Sequence, residues 1–181
     1  MRGISFIFVI CLLIILQGCN KKGNQQDSGT VTINNQLNNP QSAPFIYGFS
    51  VTEGKLVSTL SDPLNVITIM ADGDTASHVI RQLYLSSSGL YNSFYKYGQY
   101  GSRTDADDVF NNLKSFDTDL WYETADSVLP NQIWIYRTSD EKYAKIEITA
   151  TASQIRKDMA YPFGECTFRW VYQPDGTKLF P

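Results

Sequence analysis

The chain holds a single histidine, His78, three methionines and eleven tyrosines. From these a metal or cofactor site would have to be assembled. His78 offers an imidazole nitrogen, although a histidine in a strand more commonly packs or hydrogen-bonds. Met159 lies in the loop-like stretch Lys157-Asp158-Met159-Ala160-Tyr161 and offers a thioether, whereas Met70 ends an apolar strand and reads as core. Tyr91, Phe94, Tyr95, Tyr97 and Tyr100 crowd into ten residues among Asn, Gly, Gln and Ser. Such rings can stack on a flat apolar ligand such as a porphyrin, with Lys96 or Arg103 pairing its propionates, and tyrosinate itself ligates haem iron. The plainer role for the same rings is to cover a sheet edge beneath a long loop. No Ser-His-Asp set with a nucleophile elbow, HExxH or glycine-rich phosphate loop is present, so an enzyme is not expected. Asp105, Asp107 and Asp108 lack the twelve-residue loop and closing Glu of a calcium site.

A second kind of chemistry sits at the N-terminus. Arg2 precedes an apolar run from Ile4 to Leu16, broken only by Ser5 and Cys11. This is the layout of a secretory signal peptide over residues 1–18, and the run is too short for a spanning helix. Leu16-Gln17-Gly18-Cys19 resembles a lipobox, which implies cleavage before Cys19, a diacylglycerol thioether on its sulfur and a further acyl chain such as palmitate on the freed amine. Two or more acyl chains hold a protein stably on a membrane where one does not. Asn20 is not the Asp that resembles an inner-membrane retention signal, so the expected address is the outer membrane, on its periplasmic or cell-surface face. With Cys11 removed and Cys19 acylated, Cys166 stands alone and no intrachain disulfide is expected.

These groups need elements to position them. Residues 19–43 are rich in Asn, Gln, Ser and Gly and read as a lipidated Cys followed by a disordered tether, with Val31-Thr32-Ile33 offering at most a short strand. Residues 44–181 make one domain by size. The net charge is -3, without a basic tract, and argues against a nucleic-acid partner. The domain reads as mostly β with antiparallel sheets. Phe45 to Leu60 suggests a strand pair turning at Glu53-Gly54; Asn65 to Met70 a strand closed by Ala71-Asp72-Gly73-Asp74; His78 to Leu85 another. Thr104 is the expected N-cap of one short helix over Asp105–Phe116, with Val109, Phe110, Leu113 and Phe116 at helical spacing. Ile133–Arg137 and Tyr143–Thr149 form a hairpin around Ser139–Lys142, in which Lys145, Glu147 and Thr149 share the wetter face. Cys166, Phe168, Trp170 and Tyr172 share the packed face of a last strand.

The run NQIWIYRTSDEKYAKIEITA, then GECTFRWVYQPDG, resembles the closing hairpin and final strand of the HmuY-like family of Bacteroidetes lipoproteins. Tyr47-x-Phe49-Ser50, Gly54-Lys55-x-Val57 and Arg81 extend the likeness over Phe45 to Tyr172. The resemblance implies an all-β, lipid-anchored domain that binds haem for iron acquisition; a TonB-dependent receptor is the candidate protein partner. In that family His or Met side chains clasp the iron from loops ahead of the C-terminal hairpin. Here residues 116–130 carry neither His nor Met, Thr75 and Ala76 stand where the family has a Trp-Asp pair, and Ser87 replaces an Asn. The competing expectation is a lipoprotein with the same fold and no haem site, acting as a structural or protein-interaction module.

Overall fold

A computed structural model describes residues 27–38, 45–60, 65–87, 89 and 92–181. The signal peptide, Cys19 and Tyr91 lie outside these described residues. Ten strands form two five-stranded antiparallel sheets, with one helix. The strands are β1 (Ser28–Asn34), β2 (Tyr47–Ser50), β3 (Lys55–Ser58), β4 (Val66–Asp74) and β5 (Val79–Ser87). They continue with β6 (Phe94–Gln99), β7 (Thr124–Ala125), β8 (Gln132–Arg137), β9 (Tyr143–Gln154) and β10 (Phe163–Gln173); the helix α1 (Arg103–Asn112) follows β6. The first sheet runs β1-β10-β9-β8-β6 and the second β3-β2-β4-β5-β7.

The C-terminal strands show why the sheets stack. Along β10 alternate residues are buried, and Cys166, Phe168, Trp170 and Tyr172 all face the second sheet, as their period-2 spacing requires. Phe49 of β2 meets Phe168 and Trp170 at ring-centroid distances of 5.7 and 5.0 Å. At Gly164 the two sheets approach closely; a Cβ there would lie 2.8 Å from Leu83 Cδ2 and 3.2 Å from Ala71 Cβ. Cys166 is fully buried in this core, which pushes its thiol up to about 12 and leaves it unreactive.

A third layer covers the other face of the first sheet. Phe110 and Leu113 from the helix region, with Phe116, Tyr143 and Phe180, close over Ile133 and Ile135. The helix starts two residues earlier than Asp105 and ends at Asn112. Its N-cap is Ser102, not Thr104, because Ser102 Oγ accepts the Asp105 N–H at 3.1 Å and donates to that Asp's carboxylate at 2.8 Å.

Four expectations are corrected. The tether does not extend to residue 43, because Ser28–Asn34 pairs along its whole length with β10, burying Ile33. Ala71–Asp74 does not close a strand; β4 runs through it with a register shift at Asp72/Gly73. His78 is not in a strand but in the turn before β5, at φ 58°. Lys145 and Glu147 are not on a wet face: the helix layer leaves them 2% and 0% exposed.

Candidate functional site

The long hairpins β4–β5 and β9–β10 carry their turns to one end of the molecule. There Thr75 and His78 from one turn, and Ile155, Arg156, Lys157, Met159 and Ala160 from the other, line a cavity of about 340 Å³. The first turn is set by Asp74, whose Oδ1 accepts the N–H groups of Ala76 at 2.9 Å and Ser77 at 3.3 Å. Ser77's side chain and these backbone bonds hold the Asp74 carboxyl below the usual carboxylate range. His78 then closes the turn in the left-handed region, where a side chain costs roughly 1 kcal/mol.

The second turn is pinned at its base by a residue of the supposed tether. Asn35, 1% exposed, donates from Nδ2 to Pro162 O at 2.8 Å and accepts the Gly164 N–H at 2.9 Å, while Tyr161 Oη donates to Asn35 O at 3.2 Å. Within the loop Arg156 pairs with Asp158, which holds that carboxyl low, and its guanidinium lies 5.4 Å from the Phe163 ring centroid. Met159 is half-buried, while His78 and Lys157 are exposed. The chain's only imidazole and a thioether are therefore brought to one cavity with a lysine at its rim.

The aromatic run does not join them. Phe94, Tyr95 and Tyr97 lie on β6, at the opposite edge of the first sheet from β1, and Tyr100 follows just beyond it. Phe94 is wholly buried against Tyr136 at 5.3 Å and cannot stack on a ligand, a correction to the expected pocket. Tyr95 points the other way and meets Trp121 at 6.3 Å in the helix-side core. Lys96 Nζ lies 5.6 Å from the Trp134 ring. Tyr97 is exposed at the bulge between Lys96 and Gly98, and Tyr100 folds back over Gly98, its phenol pushed upward by burial. Among the described residues, then, Phe94 packs between the sheets, Tyr95 and Tyr100 pack on the helix side, and Tyr97 faces solvent.

Arg103 belongs to a different group, the polar seam under α1. Its Nε lies 3.1 Å from Asp107 Oδ1 and 3.3 Å from Glu147 Oε1. From β10, Arg169 Nη1 donates to Asp107 at 2.6 Å and to Glu147 Oε2 at 3.0 Å. Glu147 is raised to about 7, first by burial and then by its contact with Asp107. Burial also pushes Asp107 up, but hydrogen bonds from Arg103 and Glu147 and the two guanidinium charges leave it below its ordinary value. Glu147 Oε1 is left without a hydrogen bond. Next to it Lys145 Nζ donates to Phe110 O at 2.8 Å and Leu113 O at 3.0 Å, and burial followed by the charges of Lys114 and Arg169 lowers it to about 8. Strand alternation puts Lys145 and Glu147 on the face of β9 opposite the inter-sheet core; that a helix covers this face has no signal in β9 itself.

Among the described residues, no three His, Cys, Asp or Glu side chains converge as a metal site. No described helix is long and apolar enough to cross a membrane. No protein-family model matches the chain, and no curated protein matches it.

Proposed function

We propose that this protein is a lipid-anchored outer-membrane or cell-surface binding protein of the HmuY type that captures haem for iron acquisition. The observation that carries the proposal is the convergence of His78 and Met159 on one cavity. Haem supplies four nitrogen ligands itself and asks the protein for one or two axial ligands, for which imidazole and thioether both serve. Lys157 and Arg156 on the same cavity suit the propionates; of the two, Arg156 is paired with Asp158 and Lys157 has no ion pair among the described residues. The volume falls in the usual range for small-ligand sites.

The lipid anchor rests on Cys19 and the signal-like segment before it. With β1 beginning at Ser28, the spacer after Cys19 is short; fully extended it reaches roughly 30 Å. That length keeps captured haem close to the membrane and to a TonB-dependent receptor embedded in it.

Titration of the chain from Asn20 onward with hemin should produce a saturable Soret shift. His78→Ala and Met159→Ala should each weaken binding by about tenfold or more, equivalent to at least ~1.4 kcal/mol. An unaltered Soret response in both variants would remove the cavity from the account. No response in the parent chain, in either iron oxidation state, would favour a protein-interaction module. That second reading has its own observation in exposed Tyr47, Leu56 and Leu60 on the β2–β3 edge, at 43%, 45% and 60% exposure.

A further inference from the structure

A cavity of about 370 Å³ opens between α1, the outer faces of β9 and β10, and the edge strand β1. Lys145, Arg169 and Asn111 line it together with Ser28–Thr30 and Pro181; none of its lining side chains is acidic, and Pro181 O accepts from Lys114 Nζ at 2.9 Å. Lys145 is 2% exposed yet has no carboxylate within ion-pair distance among the described residues. Its ammonium has three protons, and two go to the carbonyls of Phe110 and Leu113 at the end of the helix. No third hydrogen bond to Nζ is made among the described residues. The Phe110 and Phe180 ring faces, 5.0 and 5.4 Å from Nζ, are its other neighbours.

The other donors are fixed as firmly. Arg169 spends Nη1 on Asp107 and Glu147, and Nη2 reaches Asn111 Oδ1 at 2.7 Å. That contact orients the Asn111 amide so that its oxygen faces Arg169, which leaves both Nδ2 protons unspent by it. Arg169 keeps one Nη2 proton and Nε–H beyond these bonds. β1 is the outermost strand, so alternate backbone groups along it turn away from β10. Burying a cation without a counter-charge is costly, and a bound anion is what would offset that cost. Burial, with the like charges of Lys114 and Arg169 and no carboxylate to oppose them, lowers Lys145 to about 8.

We propose that this cavity is a binding site for a small oxyanion, a carboxylate or phosphate group, held by Lys145, Asn111 and Arg169. It is separate from the His78–Met159 cleft and does not depend on haem being the ligand there.

The test is calorimetric titration of the full chain in detergent with sodium phosphate and, in parallel, sodium acetate, at constant ionic strength set by chloride. Backbone amide shifts are followed in the same titrations. Saturable binding is expected, with shifts concentrated at residues 28–30 and 111. Asn111→Asp keeps the oxygen that accepts from Arg169 but replaces the amide donor by a negative charge at an exposed position, so it should fold and weaken binding about tenfold or more. Lys145→Met should do likewise where it folds. Preference for phosphate or for acetate assigns the anion class, and either supports the site. Absence of saturation with both anions, shifts spread evenly over surface cations, or Asn111→Asp binding as tightly as the parent would overturn it.

Discussion

Replacing Glu147 by Gln asks whether burial or ion pairing governs the seam beneath α1. The carboxyl is 0% exposed and faces Arg103 and Arg169, which favour its charge, and Asp107, which opposes it. Its position rises from 4.5 to about 7. At 1.36 kcal/mol per pH unit this amounts to about 3 kcal/mol. The sign follows from linkage. A folded-state value raised above the unfolded one contributes stability that is complete below about pH 4.5 and is lost as pH rises through about 7. Gln has the shape of the protonated acid and its amide nitrogen can take the proton's place toward Asp107. Urea unfolding of both proteins at pH 5 and pH 8 should therefore show Glu147→Gln more stable by about 3 kcal/mol at pH 8, with the gap closing to under about 1 kcal/mol at pH 5. Taking the difference between the two proteins cancels every other titrating group that the substitution leaves alone. If Gln is instead destabilising at pH 8, by the roughly 3–5 kcal/mol typical of breaking a buried ion pair, the two arginines win and Glu147 is ionised in the fold.

Two further outcomes are expected. His78→Gly should raise stability by roughly 0.5–1 kcal/mol, because glycine adopts the left-handed turn position without a Cβ penalty, while abolishing the hemin-induced Soret shift; a stability loss would mean that the imidazole packs rather than waits for a ligand. A chain begun at Ser42 should fail to show cooperative unfolding by circular dichroism, because it lacks β1 and the Asn35 contacts that hold the β9–β10 turn, whereas one begun at Asn20 should unfold in a single transition.

The β character was legible because strand burial has a period of two. Phe168, Trp170 and Tyr172 alternate with Thr167, Arg169 and Val171, and such spacing admits no helix with one apolar face. The helix was equally plain from Phe110 and Leu113 at their spacing, although its cap was misplaced because Ser102 and Thr104 are both competent hydroxyls and only backbone geometry chooses between them. β1 was hidden for the opposite reason. Its residues are mostly Ser, Gly, Thr and Asn, and an edge strand with a single buried side chain, Ile33, looks like a linker until its partner is known.

Local sequence determined most of the elements and the scarcity of ligating groups, since each of these is a property of residue type and near-neighbour spacing. Only the tertiary structure decided which groups meet. His78 and Met159 lie in turns of different hairpins, and their meeting depends on the lengths of four strands and on the close approach at Gly164. The aromatic run, contiguous in the chain, is divided between two faces of β6 because successive strand residues point in opposite directions. Lys145 and Glu147 acquired their shifted acidities from a helix that precedes them by more than thirty residues, as burial is a property of what lies above a strand and not of the strand.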